Sequence, residues 1–213
     1  MVWQDVPFPW QIAMEEAWAA FCAGSTPIGA ALFDEDGRLI ARDRNRAAEP
    51  ETLNRRISHA EANLLRSLDS RAMPNIHTAV LYCTMEPCPM CMGTAVMAGI
   101  RRLRYGARDP WCGAVHLKDA SPWMASKQLD YAFDGAYTAF FQLVLQSCYE
   151  LRCIERGASP NVLESFRGQD PAAVALAEQL RAEALLEHLA GKNATCKEVY
   201  GRVARGRSAQ GEG

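Results

Sequence analysis

Residues 78–106 read TAVLYCTMEPCPMCMGTAVMAGIRRLRYG, and this stretch decides the fold. The dense apolar run at 78–84 predicts a buried strand. Pro89 suits the first position of a helix, where its missing N–H is not needed, and we expect that helix to end at about Ala98. A further strand is expected at 102–106. Strands that alternate with helices in this way indicate an α/β fold.

The residues before this stretch extend the same pattern. They predict a helix at 10–23, strands at 26–33 and 38–41 joined by a turn, a long polar loop at 42–58, and a helix from about 59 to 70. The resulting order is strand, strand, helix, strand, helix, strand. This order predicts an α/β sandwich built on a mixed sheet.

The second half of the chain is expected to be mainly helical. The apolar spacing predicts helices at 135–153 and 171–190, and the last dozen residues are expected to fray. We therefore predict a main domain over residues 1–155 and a helical C-terminal extension over 156–213 that packs on it. The large apolar side chains in 131–149 face several directions on a helix. One domain face cannot bury all of them, so the pattern also predicts a homodimer.

Composition and charge limit the classes of partner. The 213 residues are 49% hydrophobic and 23% charged, which is ordinary for a globular protein, and the net charge is −2. A dedicated nucleic-acid binder usually shows a basic domain or stripe, and the chain as a whole shows none. Six arginines at or near the loop at 42–58 point the other way, although neighbours such as Asp43, Glu49 and Glu51 are expected to pair with them. The six are Arg38, Arg42, Arg44, Arg46, Arg55 and Arg56.

The N-terminus and the cysteines bear on the compartment. The first cationic side chain is Arg38, so the basic region of a secretory signal is missing, and no apolar run is long enough to span a bilayer. The chain has eight cysteines, of which only Cys88 and Cys91 have the spacing of metal ligands. Reduced thiols and a cytoplasmic location, with no membrane partner, are therefore expected.

Two short motifs have the composition of a metal centre. They are His59-Ala60-Glu61 and Pro87-Cys88-Pro89-Met90-Cys91. One imidazole and two thiolates are good zinc ligands, and three protein ligands leave a fourth position for water, as in catalytic sites. Each motif opens a predicted helix, so two helix N-termini are expected to point at one place and to favour thiolates there. The cofactor predicted from these residues is Zn²⁺.

Simpler explanations of the same residues stay open at this point. The cysteine pair could belong to a closed structural zinc site with Cys83 or His77 as fourth ligand, or to a redox pair. Glu61 could serve as the second half of a capping box, with Ser58 as the N-cap of the helix. The presence of Glu61 in His-x-Glu ahead of the cysteine pair favours a catalytic role instead.

The two motifs together match the H-x-E…P-C-x-x-C signature of zinc deaminases that act on nucleobases. The chain resembles the cytidine deaminase superfamily, and most closely its branch of bacterial guanine deaminases and tRNA adenosine deaminases. The resemblance rests on residues 84–91 for the metal motif, 26–30 for the first strand, Asn45, and 105–109 after the metal helix. It covers roughly residues 10–115. It implies a three-layer α/β/α sandwich with a mixed five-stranded sheet, and usually a dimer or tetramer.

The resemblance also implies a mechanism and a set of binding residues. His59, Cys88 and Cys91 would bind zinc, and Glu61 would take a proton from water and pass it to the ring nitrogen and then to the leaving ammonia. Asn45 would bind the substrate, and backbone groups near Ala60 and Glu86 would hold the edge of the base. Three further candidates for substrate binding are Pro87, Asp109 and Trp111.

The substrate is predicted from charge and from one aromatic loop. The net negative charge favours a small molecule over a nucleic acid. The aromatic loop from Trp111 to Trp123 could stack over a flat ring. Together they favour a small nucleobase-like heterocycle, with guanine or a related purine or triazine ranked first. Packing or an oligomer interface is an equal explanation for these tryptophans. Alternatives are tRNA adenosine, a pyrimidine base or nucleoside, and a deaminase-like scaffold that keeps zinc for structure. A nucleic acid is the less favoured partner.

Overall fold

The computed structural model describes residues 2–210 and contains one mixed five-stranded sheet. Its strands are β1 (Gly29–Phe33), β2 (Leu39–Arg44), β3 (Val80–Cys83), β4 (Arg102–Tyr105) and β5 (Asp130–Phe133). The order across the sheet is β2-β1-β3-β4-β5. Strand β1 runs antiparallel to β2 and β3, whereas β3, β4 and β5 are parallel. The mixed α/β sheet is therefore confirmed, and β5 is the strand that the sequence pattern missed.

The helices lie on both faces of this sheet and continue beyond it. They are α1 (Phe8–Cys22), α2 (Ala60–Arg66), α3 (Pro89–Met97), α4 (Pro122–Ala125), α5 (Ala139–Ile154), α6 (Asn161–Gln169), α7 (Pro171–Ala182), α8 (Leu185–Gly191) and α9 (Cys196–Gln210). Short 3₁₀ turns span Trp3–Asp5, Ile76–Thr78 and Val115–Leu117. No helix within residues 2–210 is long and apolar enough to cross a membrane.

Strand β1 is buried on both faces and separates two cores. Ala30 and Leu32 pack with α2 and α3, whereas Ala31 and Phe33 pack with α1. The approach of α1 is very close at Gly29, because a Cβ atom there would collide with the backbone of Ala13 and Ala17. Glycine at this position therefore fixes how α1 sits on the sheet.

Helix α5 explains the apolar side chains that suggested a homodimer. Phe141, Val144 and Cys148 are almost fully buried, and they belong to the same apolar core as residues of α6, α7 and α9. The C-terminal helices of the same chain thus cover the faces of α5 that the sheet domain leaves open. The argument for a second copy at this helix therefore falls away, because the C-terminal helices of the same chain bury these side chains, and the homodimer itself stays a prediction.

Several boundaries also differ from expectation. Helix α2 ends at Arg66 rather than near residue 70, and β2 continues to Arg44, three residues into the expected loop. The helix expected at 171–190 is two helices, because Ala184 between them has a φ of 48°. The expected frayed end is helical as far as Gln210, and residues 211–213 lie outside the described residues.

Candidate active site

Three side chains from two helix starts converge at the carboxyl end of β3. His59 is the residue before α2, and Cys88 is the residue before α3, whose first turn supplies Cys91. His59 Nδ1 lies 3.6 Å from the Sγ atoms of both cysteines, and all three ligand atoms lie within 4.8 Å of one another. The expectation that each motif opens a helix is confirmed, so both helix N-termini direct their partial positive charge to this point.

The spacing of these three atoms fits a single zinc ion. With Zn–S near 2.3 Å and Zn–N near 2.05 Å, tetrahedral geometry places nitrogen and sulfur about 3.6 Å apart, which is the separation found here. Among residues 2–210, no fourth His, Cys, Asp or Glu joins this group. Cys83 instead donates to the Arg104 carbonyl, and His77 lies exposed in a 3₁₀ turn. The donor set therefore suits zinc with one open position.

The protonation of the thiols is consistent with a cation site. A hydrogen bond from Cys91 holds the pKa of Cys88 at about 4, whereas the same bond and burial raise the pKa of Cys91. The hydrogen bond to Cys88 also raises the pKa of His59. Two thiols that share one proton in this way are poised to bind a cation, because a divalent metal ion favours loss of that proton as well.

Glu61 lies beside this group in the first turn of α2. Its side chain is 4% exposed, and its Oε2 accepts a hydrogen bond of 3.2 Å from Cys91 Sγ. Burial raises its pKa. The capping-box interpretation is not realised, because the N-cap is His59 and the Ser58 hydroxyl bonds Asn63 rather than the start of the helix. Its carboxylate is therefore available beside the metal ligands.

Asn45 follows β2 at the same edge of the sheet and is 3% exposed. Its backbone N–H donates to Ile28, and its Oδ1 accepts from the Ala47 N–H at 2.9 Å. The expectation was that its amide offers both a donor and an acceptor to a base edge. The local turn uses one lone pair of Oδ1, so the Nδ2 donor and the second lone pair are left for a substrate.

Glu86 and Asp109 organise the loop that follows β4. The two Glu86 carboxylate oxygens accept from the backbone N–H groups of Asp109 and Val115, and Pro87 O accepts from Ala114. Asp109 Oδ1 accepts from the N–H groups of residues 111 and 112. Gly113 leaves room for this arrangement, since a Cβ there would lie 2.6 Å from Glu86 Cδ. These carboxylates therefore shape the wall beside Cys88.

The other candidates from the sequence have mixed placements. Ala60 is fully buried as the first residue of α2, whereas Trp111 is 57% exposed. The tryptophan at 123 is also exposed and packs against the Lys127 ammonium. Of the six arginines, 38, 42, 44 and 46 are paired with carboxylates as expected. Arg55 and Arg56 are exposed and form no ion pair within the described chain.

A polar stripe on α5 was missed by the sequence analysis. The Gln142 amide donates to Pro27 O, and Gln146 donates to Glu150 at 2.7 Å. Burial raises the pKa of Glu150, and the charge of Asp109 adds to that effect, so the stripe lies near the loop after β4. Polar residues four apart in an otherwise apolar helix were the signal that could have revealed it.

Known proteins share this arrangement of motifs. The sequence profile of the cytidine and deoxycytidylate deaminase zinc-binding region matches residues 8–107. The tRNA-specific adenosine deaminase of Bacillus subtilis is 38% identical over 162 residues, which are 71% of this chain and 94% of that protein. The protein of the same name from Agrobacterium fabrum is 43% identical over 106 residues, which are 49% of this chain and 67% of that protein.

A guanine deaminase structure from Nitrosomonas europaea is also similar. It is 23% identical, with 65% of this chain and 81% of that chain covered, and its TM-score is 0.47. The family profile and the length over which the Bacillus subtilis relative matches agree with the His–Cys–Cys group described above. The chain belongs to the cytidine and deoxycytidylate deaminase family of zinc-binding hydrolytic deaminases.

Proposed function

We propose that this protein removes the amino group of an adenosine in tRNA by hydrolysis, which gives inosine and ammonia. The sequence alone ranked a free base such as guanine first. Support for tRNA comes from the Bacillus subtilis tRNA-specific adenosine deaminase, because the match extends over 94% of that protein. A likeness over almost the whole length of a relative is a stronger basis for substrate class than the net charge of the chain.

His59, Cys88 and Cys91 hold the zinc ion in this proposal. The observation that carries it is the 3.6 Å separation of His59 Nδ1 from each sulfur, which suits tetrahedral zinc. Zinc bound there supplies an activated water molecule at neutral pH. The helix starts at His59 and Cys88 keep the ligands in place, since each ligand is fixed by the first turn of a helix.

Glu61 moves the protons of the reaction. It takes a proton from the attacking water and delivers it to the ring nitrogen next to the carbon that bears the amine. The hydroxyl now attached to that carbon gives its remaining proton to Glu61, which passes it to the amine; the C–N bond breaks, ammonia leaves and the ring keeps the oxygen as a carbonyl. One carboxylate suffices because the transfers are sequential. Its burial beside Cys91 supports this role, because a side chain that is 4% exposed exchanges few protons with bulk water.

The remaining candidates hold the base or shape its pocket. Asn45 donates from Nδ2 to an acceptor on the substrate, and backbone groups at Ala60 and Glu86 hold the edge of the base. Pro87 and Asp109 act through the loop after β4, whose backbone they fix. The exposed indole of residue 111 is free to stack on a base.

A substrate panel tests the proposal. Zinc-loaded protein is incubated separately with tRNA, an anticodon stem-loop, adenosine, cytidine and guanine, and released ammonia is measured. We expect turnover of the RNA substrates and little with the free compounds. Faster turnover of guanine would refute the tRNA proposal in favour of a free base. If the zinc-loaded protein releases no ammonia from any of these compounds, the alternative of a deaminase-like scaffold that keeps zinc for structure is favoured.

A homodimer stays a prediction that rests on the family resemblance, because α5 no longer supports it. Light scattering at micromolar concentration measures the mass of the zinc-loaded protein. Twice the chain mass of 23.5 kDa is the expected result, and the mass of a single chain would contradict it.

A further inference from the structure

An open groove of about 750 Å³ lies between the N-terminal residues 2–4 and helices α8 and α9. Four basic side chains line it: Lys192, Lys197, Arg202 and Arg205. All four are exposed, and none forms an ion pair or a side-chain hydrogen bond with any residue between 2 and 208. The groove therefore presents four cations to solvent, none of them held in an ion pair with a described side chain.

The one acidic side chain that lines the groove is already occupied. Glu198 Oε2 accepts from both the backbone N–H and the hydroxyl of Thr195, at 2.7 and 2.8 Å, which caps the start of α9. These hydrogen bonds lower the pKa of Glu198. Arg207 points elsewhere, over the ring of Phe140. Glu198 therefore stays ionised, and the groove keeps a net charge of +3 from its four cations and this one carboxylate.

The cations form a line and do not converge on one point. Lys197 and Arg205 are eight residues apart on α9, which corresponds to about 12 Å along the helix. Residues between them on the same face are small, namely Gly201 and Ala204. A small anion would need donors that meet at one place. A line of charges over a flat helix face instead suits the phosphates of a nucleic-acid strand, which recur every few ångströms.

The charge is strongly segregated along the chain. Residues 192–208 hold five of the 23 Lys and Arg residues but one of the 25 Asp and Glu residues, so the remainder of the chain is acidic. The average over the whole chain conceals this basic helix, whose last part, from about residue 202, was expected to fray. Local charge, rather than the total, determines where a polyanion docks.

We propose that this groove binds the phosphate backbone of RNA and that it holds a part of the tRNA away from the reacting base. The inference rests on the proposed function for the identity of the RNA. It assigns the recognition of the tRNA body to helices that lie outside the region matched by the family profile, which ends at residue 107.

The test compares variants of the full-length, zinc-loaded protein by anisotropy of labelled tRNA across a salt series. In Lys197→Gln/Arg202→Gln/Arg205→Gln, loss of three phosphate contacts should lower the slope of log K against log salt by about 2–3. At about 0.1 M salt this corresponds to roughly a hundredfold weaker binding. The charge-preserving variant Lys197→Arg/Arg202→Lys/Arg205→Lys should bind like the wild type.

The matched control removes three exposed arginines elsewhere, in Arg38→Gln/Arg71→Gln/Arg156→Gln. Equal weakening by this control, or no weakening by the groove variant, would overturn the inference. Binding to phosphatidylserine vesicles is measured as well. If the groove variant loses this binding while its affinity for tRNA stays unchanged, the inference is overturned.

Deamination of the tRNA and of a short stem-loop is measured in parallel. We expect the groove variant to raise KM for tRNA and to leave kcat on the stem-loop unchanged. RNA binding that depends on the groove without any deamination would contradict the proposed function and leave the inference standing. Deamination of tRNA by the groove variant with an unchanged KM would contradict the inference and leave the proposed function standing.

Discussion

Replacing Glu61 with Gln separates chemistry from folding at this site. Gln has nearly the same volume, so a side chain that is 4% exposed is replaced without a cavity. Burial raises the pKa of Glu61 and so disfavours its charged form, which means that a neutral amide should not destabilise the fold. We expect the variant to keep its melting temperature and its zinc content.

The expected loss lies in turnover. General acid–base catalysis by one group contributes about 10²–10⁴-fold, which is about 3–5 kcal/mol of barrier. Every proton transfer in the proposed reaction passes through Glu61, so a loss of kcat of about a thousandfold or more is expected. The assay combines ammonia release from the stem-loop, zinc by elemental analysis and a thermal melt. Activity within about tenfold of wild type would show that another group moves the protons.

The matched control is Glu16→Gln, because Glu16 is also a buried carboxylate but lies on α1. It pairs with Arg42 at 3.1 Å and with Arg44 at 3.6 Å. Burial raises the pKa of Glu16 as it does that of Glu61, so a neutral amide should be tolerated there as well. The control should therefore keep both its Tm and its kcat, so that only the Glu61 variant loses turnover. The same pattern in both variants would refute the assignment of Glu61.

Three further predictions concern the metal, the substrate and the fold. Cys88→Ser should lower the zinc content well below one ion per chain, and elemental analysis that finds wild-type zinc would contradict the ligand set. Asn45→Asp keeps the acceptor for the local turn but loses the Nδ2 donor, so kcat/KM should fall roughly ten- to a hundredfold; wild-type kinetics would exclude this contact. Gly29→Ala should lower Tm strongly, because the added Cβ collides with the backbone of α1. The control Gly93→Ala meets nothing within 4 Å and should raise Tm slightly. Equal Tm values for the two variants would refute the close approach of α1 to Gly29.

The sequence predicted those parts of the molecule that depend on local pattern. The strand before Cys88, the helix that begins at Pro89 and the convergence with His59 all follow from motif spacing and the requirements of helix starts. The fifth strand was missed because its four residues, DYAF, alternate too briefly to give a period. The role of Glu86 was also missed, because the acceptors for distant backbone N–H groups cannot be deduced from its neighbours in the chain.

The C-terminal half was harder to predict for a different reason. Phe141 and Val144 were recognised as apolar, but their partners lie in α6, α7 and α9, and a pattern does not pair one helix with another. Sequence patterns show which residues must be buried, and they do not show what buries them. The same limit applies to Lys197 and Arg205, because residues from about 202 onwards were expected to fray and the sequence did not show that one helix carries both side chains.

The way α6, α7 and α9 cover α5 separates two ideas of what a domain is. The family profile ends at residue 107 and so stops before α5, yet the apolar core that α5 shares with the later helices extends to Val203. A chain cut directly after α5 would present the apolar faces of that helix to water and would tend to aggregate before its chemistry could be measured. In this protein the part inherited with the reaction and the part needed for solubility are different lengths of the same polypeptide.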